Sequence, residues 1–152
     1  MSLPQCIDPT SVEVTGRDIP WKPFGSYAGF VYKILDVDVE RRTVDMVFHF
    51  EPSGRCFHHR HRSAVASLVL EGEHHIHEVD AEGTRRHKVR KAGEIAFSND
   101  GHAHTEGGGP EGAIVYFSFR GDHDHIYDIL DENLELVREV SIHDFRTAFE
   151  RW

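Results

Sequence analysis

The amino-acid sequence predicts an all-β protein, a sandwich or small barrel built from many short strands. Three observations lead there. Runs rich in β-branched and aromatic residues recur at short, regular intervals along most of the chain. The stretches between them are dense in Gly, Pro, Asn and Asp, which is turn chemistry. Apolar residues fall at helical spacing only at the C-terminus.

Residues 1–20 are polar and interrupted by Pro4, Pro9 and Pro20, and read as an N-terminal arm or short edge strand. The opening Met-Ser-Leu is set aside as a cloning remnant. Strands are expected at 30–37, 43–50, 64–70, 74–79, 86–89, 94–97 and 113–119. Turns are expected at Glu51-Pro52-Ser53-Gly54, Glu71-Gly72, Asp80-Ala81-Glu82-Gly83, Ala92-Gly93 and Asn99-Asp100-Gly101. Gly107-Gly108-Gly109-Pro110 reads as a flexible turn between strands, since no Lys-Ser/Thr follows to make it a phosphate loop. Ser141 then precedes Ile142, Phe145, Phe149 and Trp152 at helical spacing, with Asp144 placed to complete a capping box. Residues 142–152 are therefore expected to form a short amphipathic helix on the sheets. With no linker and no repeat, residues 1–152 read as one domain.

Charge and cysteine usage narrow the function. Seventeen Lys and Arg stand against 26 Asp and Glu, a net charge of −9. That argues against a general nucleic-acid surface. The one basic cluster, Arg85, Arg86, Lys88, Arg90 and Lys91, reads as a solvated strand edge. Two cysteines, Cys6 and Cys56, are too few for a secreted disulfide scaffold. No apolar run is long enough to span a membrane, and no basic-then-apolar leader is visible. A cytoplasmic protein is expected. Its partners would be a small-molecule substrate and a second copy of the chain, with neither nucleic acid nor membrane. No Gly-x-Ser-x-Gly elbow supports a serine triad, and Cys56 has no evident base.

The chemistry-bearing feature is His59-Arg60-His61, with His104 farther along. On a strand, residues two apart share a face, with Cα atoms about 6.6–6.8 Å apart. Two such imidazoles can meet one metal ion, and a third from a neighbouring strand would leave part of the coordination shell open.

These residues carry a family resemblance. Gly54 through His61, followed by Val65 and Gly72, resembles the first motif of the cupin superfamily. Gly93 followed by Asn99-Asp100-Gly101-His102-Ala103-His104 resembles the second. The resemblance implies a double-stranded β-helix, the cupin jelly-roll barrel, with a short C-terminal helix appended. It also implies a metal held by His59, His61 and His104. The family often adds a Glu where this chain has Val65, so the resemblance is to a three-His subset. That subset includes acetylacetone-cleaving and dihydroxyacetophenone dioxygenases, and the cupin modules of anti-sigma factors are similar in the same stretch. Ile19-Pro20-Trp21 with Gly29 to Lys33, and Tyr116 to Gly121 running into Tyr127 to Glu132, extend the likeness.

The resemblance implies one divalent ion per chain, Fe(II) favoured, with Zn, Ni or Mn as alternatives. The leading implied function is an Fe(II) dioxygenase cleaving a carbon–carbon bond in a small diketone or hydroxyketone, bound as a chelating enolate. The alternatives are a non-catalytic metal- or ligand-binding sensor, and a Zn- or Mn-dependent isomerase or hydrolase. No catalytic side chain beyond the metal ligands is indicated, and a homodimer is expected.

Val65, Ser67 and Val69 should share an inward face and line a smallish, mainly apolar pocket. Further candidates for its wall are His49, His102 and Tyr116. The inward pair on the last strong run is either Phe117 and Phe119 or Tyr116 and Ser118. His102 lies in the turn before His104 and competes weakly as a ligand. His58 and Arg60 should point away from the site. His74, His75 and His77 read mainly as a solvated strand, with one face able to support the site.

Overall fold

Two long strands, β4 (Ala64–Val79) and β7 (Ala103–Arg120), carry the architecture in the computed structural model, which describes residues 18–152. They run antiparallel from Ala64 opposite Arg120 to Val79 opposite Ala103. Each turns a corner midway. Register shifts fall between Val69 and Glu71 and between Gly72 and His74. Such bulges bend a strand and raise its twist. The remaining strands are β1 (Phe30–Asp38), β2 (Thr43–Phe50), β3 (His59–His61), β5 (Arg85–Lys91), β6 (Ile95–Ser98), β8 (His125–Leu130) and β9 (Leu136–Ser141).

The hydrogen-bonded order is β1-β2-β7-β3-β8-β9, and β4 pairs with β5, β6 and β7. All pairings are antiparallel. The continuous sheet curls into a jelly-roll barrel closed by the bent β4–β7 ladder. Among the described residues, no helix is long and apolar enough to cross a membrane.

The expected strands are present, with three corrections. The runs 64–70 and 74–79 are one strand, with Glu71-Gly72 inside it as a bulge rather than a turn. Gly107, Gly108 and Gly109 are not a turn either. They lie within β7, Gly107 opposite His75 and Gly108 opposite His74. These glycines are required by close approach. A Cβ on Gly107 would run into the Gly54 carbonyl oxygen, and one on Gly108 would sit 2.8 Å from that of Glu51. The β8–β9 pair is legible in the sequence only as an acidic turn near 127–132, because Leu136 to Glu139 are exposed and carry no clean alternation.

The helix α1 (Ile142–Glu150) forms as expected. Ser141 Oγ accepts from the Asp144 amide, and the Asp144 carboxylate accepts from the Ser141 amide, completing the capping box. Ile142 and Phe145 are buried. Trp152 lies edge-on to Tyr32, with ring centroids 4.9 Å apart, and its indole N–H donates to the Pro20 carbonyl at 2.9 Å. The tail is thus docked and pins residues 20–22, where Lys22 pairs with Tyr32. The rest of the expected arm, with Cys6, lies outside the described residues.

The core is aromatic. Phe30, Phe48, Phe50, Phe117 and Phe119 pack with Val44, Met46 and Val115 in one core cluster inside the curled sheet. Truncating such a residue to Ala costs about 3–5 kcal/mol. This apolar plug fills one part of the barrel and leaves the histidines to the other.

Candidate metal centre

Strand β3 is short, but its position decides the site. It lies between β7 and β8, with His59 opposite His104 on one side and Ile129 on the other. Strand alternation points His59 and His61 inward. Arg60 points out, where its Nε donates to the buried Asp128 carboxylate at 2.8 Å. The rings of His59, His61 and His104 converge, with centroids 4.2 to 5.1 Å apart. The structure therefore brings the three expected histidines together.

It also adds a residue that sequence reasoning missed. Glu106 sits two residues after His104 on the same face of β7 and is buried. One donor atom from each of His59, His61, His104 and Glu106 lies within 4.8 Å of the others. Glu106 Oε2 is 3.2 Å from His59 Nε2 and 3.8 Å from His104 Nε2. The i, i+2 spacing that singled out His59 and His61 would have found Glu106 as well.

This donor set fits a divalent ion. His59 Nδ1 donates to the Phe57 carbonyl at 3.0 Å, and His104 Nδ1 donates to the His102 carbonyl at 2.8 Å. Each bond fixes a tautomer and leaves the Nε2 lone pair for a metal, which is how metal-ligating histidines are usually held. His61 Nε2 is buried with no hydrogen-bond partner. A buried polar nitrogen of that kind costs about 1–3 kcal/mol unless something binds it. His74 approaches from the far side, its Nε2 3.1 Å from Glu106 Oε1 but without good hydrogen-bond alignment. It is fully buried, between Phe50 and Phe117, so the solvated-strand expectation fails for this residue.

Electrostatics set which group carries the proton in the metal-free protein. Burial, then the neighbouring His104 and His59, hold His61 well below the usual histidine range. Burial and His104 also lower His59. Burial works against a charged His104, but the facing Glu106 carboxylate outweighs it and raises its pKa. Burial likewise opposes ionised Glu106, yet the facing His104, His59 and His74 imidazoles hold it well below the usual carboxylate range. Below its raised pKa His104 is charged, so an ion binding there should displace that one proton. We expect metal affinity to fall about tenfold per pH unit below the His104 pKa. Calorimetry in buffers of different ionisation enthalpy measures the proton count, and a count of zero would refute this account.

Beside the donors lies a cavity of about 30 Å³, lined by Val65, Ser67, Ser98, Glu78, Arg90 and Phe117 among others. Val65 and Ser67 are where the sequence placed them. Val69 is buried in the same inward row but does not line the cavity. Phe117 and Phe119 take the inward parity of β7, so Tyr116 faces outward and donates to Asp45 at 2.7 Å instead of lining the pocket. His49 is on the outer face against Trp21. His102 is at the turn, its nearest carboxylate Asp100. The lining is also more polar than expected, because Arg90 folds in from the basic edge strand β5 and donates to Ser67 Oγ at 3.2 Å. Cys56 is buried. Burial and the facing Glu106 push its thiol up, so it stays protonated and inert.

Comparison with known proteins places this fold. The ChrR cupin-like domain family matches residues 10–124. No curated protein matches significantly. Among solved structures, acetylacetone dioxygenase from Acinetobacter johnsonii superposes with a TM-score of 0.72 at 16% identity, covering 99% of each chain. A Methylibium petroleiphilum PM1 protein, provisionally named an acetylacetone dioxygenase, has a TM-score of 0.72 at 18% identity, covering 97% of this chain and 99% of that one. An RmlC-like cupin from Ralstonia eutropha JMP134 has a TM-score of 0.70 at 17% identity, covering 90% and 82%. At these identities the likeness speaks for the fold, the cupin jelly roll.

Proposed function

The chain belongs to the ChrR cupin-like family, and from that premise we propose a metal-dependent cupin enzyme of the Fe(II) dioxygenase type, cleaving a carbon–carbon bond in a small oxygenated ketone. The reading is carried by the His59, His61, His104 and Glu106 donor group beside a polar cavity. A divalent ion held there would supply a Lewis acid for two substrate oxygens and a redox centre for dioxygen. Acetylacetone dioxygenases among the structural neighbours support the reaction class.

The chain's own residues shape the substrate. Glu106 contributes a negative charge that a three-His set lacks, which lowers the attraction left for an enolate. Arg90 offsets this from the cavity wall. Ser67 and Ser98 line the same space and offer hydroxyls to a polar substrate. The lining thus favours a hydroxyketone over a diketone flanked only by hydrocarbon. At about 30 Å³ the cavity holds a couple of waters, so a substrate has to be small and enter past the more exposed Arg90, Ser98 and Asp100.

Iron-loaded protein in an oxygen electrode tests the proposal. Oxygen uptake matched to substrate cleavage is expected with at least one member of a panel of small hydroxyketones and diketones. No uptake with any of them overturns it. The second reading, a sensor that binds metal or ligand without turnover, draws on the ChrR-type family match and the narrow cavity.

We also propose that two copies pair through the outer sheet face. Phe97 is 74% and Ile95 63% exposed on edge strand β6, in register with Ala66 and Leu68. Light scattering should show a dimer for the parent chain and a monomer for Phe97→Asp. A parent monomer, or a dimeric variant, would rule out this interface.

A further inference from the structure

On the opposite side of β4 from the metal centre, three more histidines meet. His75 and His77 lie two apart on the outer face, and His87 on β5 is the register partner of His77. His77 and His87 stack with ring centroids 4.2 Å apart, and those of His75 and His87 are 5.0 Å apart. One donor atom from each of the three lies within 4.8 Å of the others. His75 Nδ1 and His87 Nε2 are 2.9 Å apart. With metal–nitrogen bonds of about 2.0–2.1 Å, that separation lets both nitrogens bind one ion.

Two further observations distinguish this cluster from a chance grouping. His75 Nε2 donates to Glu73 Oε2 at 3.1 Å, which fixes the tautomer and leaves the Nδ1 lone pair aimed at His87. A carboxylate behind a histidine is the usual support for a metal ligand. A side chain opposite, in place of Gly109, would push that carboxylate–histidine pair aside. A Cβ on Gly109 would lie 2.8 Å from Glu73 Oε2 and 3.0 Å from His75 Nε2.

We propose that His75, His77 and His87 form a second divalent-cation site on the outer barrel face, oriented by Glu73 and suited to Zn²⁺, Cu²⁺ or Ni²⁺. Neutral imidazoles select these borderline ions over Mg²⁺ or Ca²⁺. In the metal-free protein the His75–His87 hydrogen bond occupies the site, and an ion replaces it as His87 shifts its proton to Nδ1. Three protein ligands leave a fourth position open. Arg55, Arg85 and Arg86 line the adjoining hollow with His77 and His87, so an anion is the natural ligand to complete the shell.

Equilibrium dialysis against Zn²⁺, with the bound metal counted by elemental analysis, tests the site independently of oxygen uptake. Parent protein should bind one more ion per chain than His77→Ala/His87→Ala, whose altered residues are exposed or half-exposed and leave the core intact. A His61→Ala variant should keep the outer ion at parental affinity while holding the central one about 100-fold more weakly. Glu73→Gln should weaken the outer site about 10–100-fold without touching the central ion. Equal Zn²⁺ counts for the parent and His77→Ala/His87→Ala would overturn the proposal. An outer ion held as tightly by Glu73→Gln as by the parent would remove the orienting role of the carboxylate.

Discussion

A His61→Ala variant should fold as the parent does and hold the central ion about 100-fold more weakly. His61 is the cleanest probe of the site, because its Nε2 has no protein partner to lose. His59 and His104 each contact Glu106, so removing either also disturbs a buried carboxylate. If the ~10–16 kcal/mol of a four-ligand site divides evenly, one ligand contributes about 3 kcal/mol, or ~10²-fold in affinity. His59→Ala added to His61→Ala would bring the loss to ~10⁴-fold by the same arithmetic. The readouts are metal content after dialysis and the rise in Tm on adding metal. A His61→Ala protein that keeps its ion at parental affinity would remove this histidine from the ligand set. The same measurement on Glu106→Gln decides whether the carboxylate is a ligand, with ~10²-fold weaker binding expected if it is.

Gly107→Val should cost the fold about 3 kcal/mol, through crowding rather than backbone strain. The added side chain meets the Gly54 carbonyl and would lie against Arg55, with its Cβ 3.2 Å from the Arg55 Cα. Those backbone atoms cannot rotate away as a side chain can. They belong to the segment that pairs with β7 at Arg55 and leads to Phe57, whose carbonyl orients His59. For a chain of this length the expected drop in Tm is ~6–12 °C. A Tm within about 2 °C of the parent would show that this approach is not needed. The variant should also bind the central ion less tightly, because the segment that positions His59 is displaced.

The same glycine-rich corner explains what was and was not legible in the sequence. Within one straight strand the alternation rule worked: His59 with His61, and Val65 with Ser67, share the faces expected of them. Across the corner it failed. On β4 the inward residues are Val65, Ser67 and Val69 before the bulges and His74, Ile76 and Glu78 after them. On β7 they are His104 and Glu106 on one side of the corner and Val115, Phe117 and Phe119 on the other. Both strands change parity, because a bulge inserts a residue without a partner. Extending the pattern of one half into the other therefore could not have placed His74 inside or Tyr116 outside. Glu106 was a different kind of miss: its spacing from His104 was in plain view, but the motif directed attention to Val65.

The sequence by itself determined the local chemistry: strand-forming runs, a capped C-terminal helix, and histidines spaced to share a face. Those follow from side-chain shape and backbone period, which act over a few residues. Only the tertiary structure decided which carboxylate joins the histidines, which face of each long strand looks inward, and that Arg90 reaches the cavity. Those depend on where two bent strands cross, a relation between residues far apart in the chain that no local periodicity encodes.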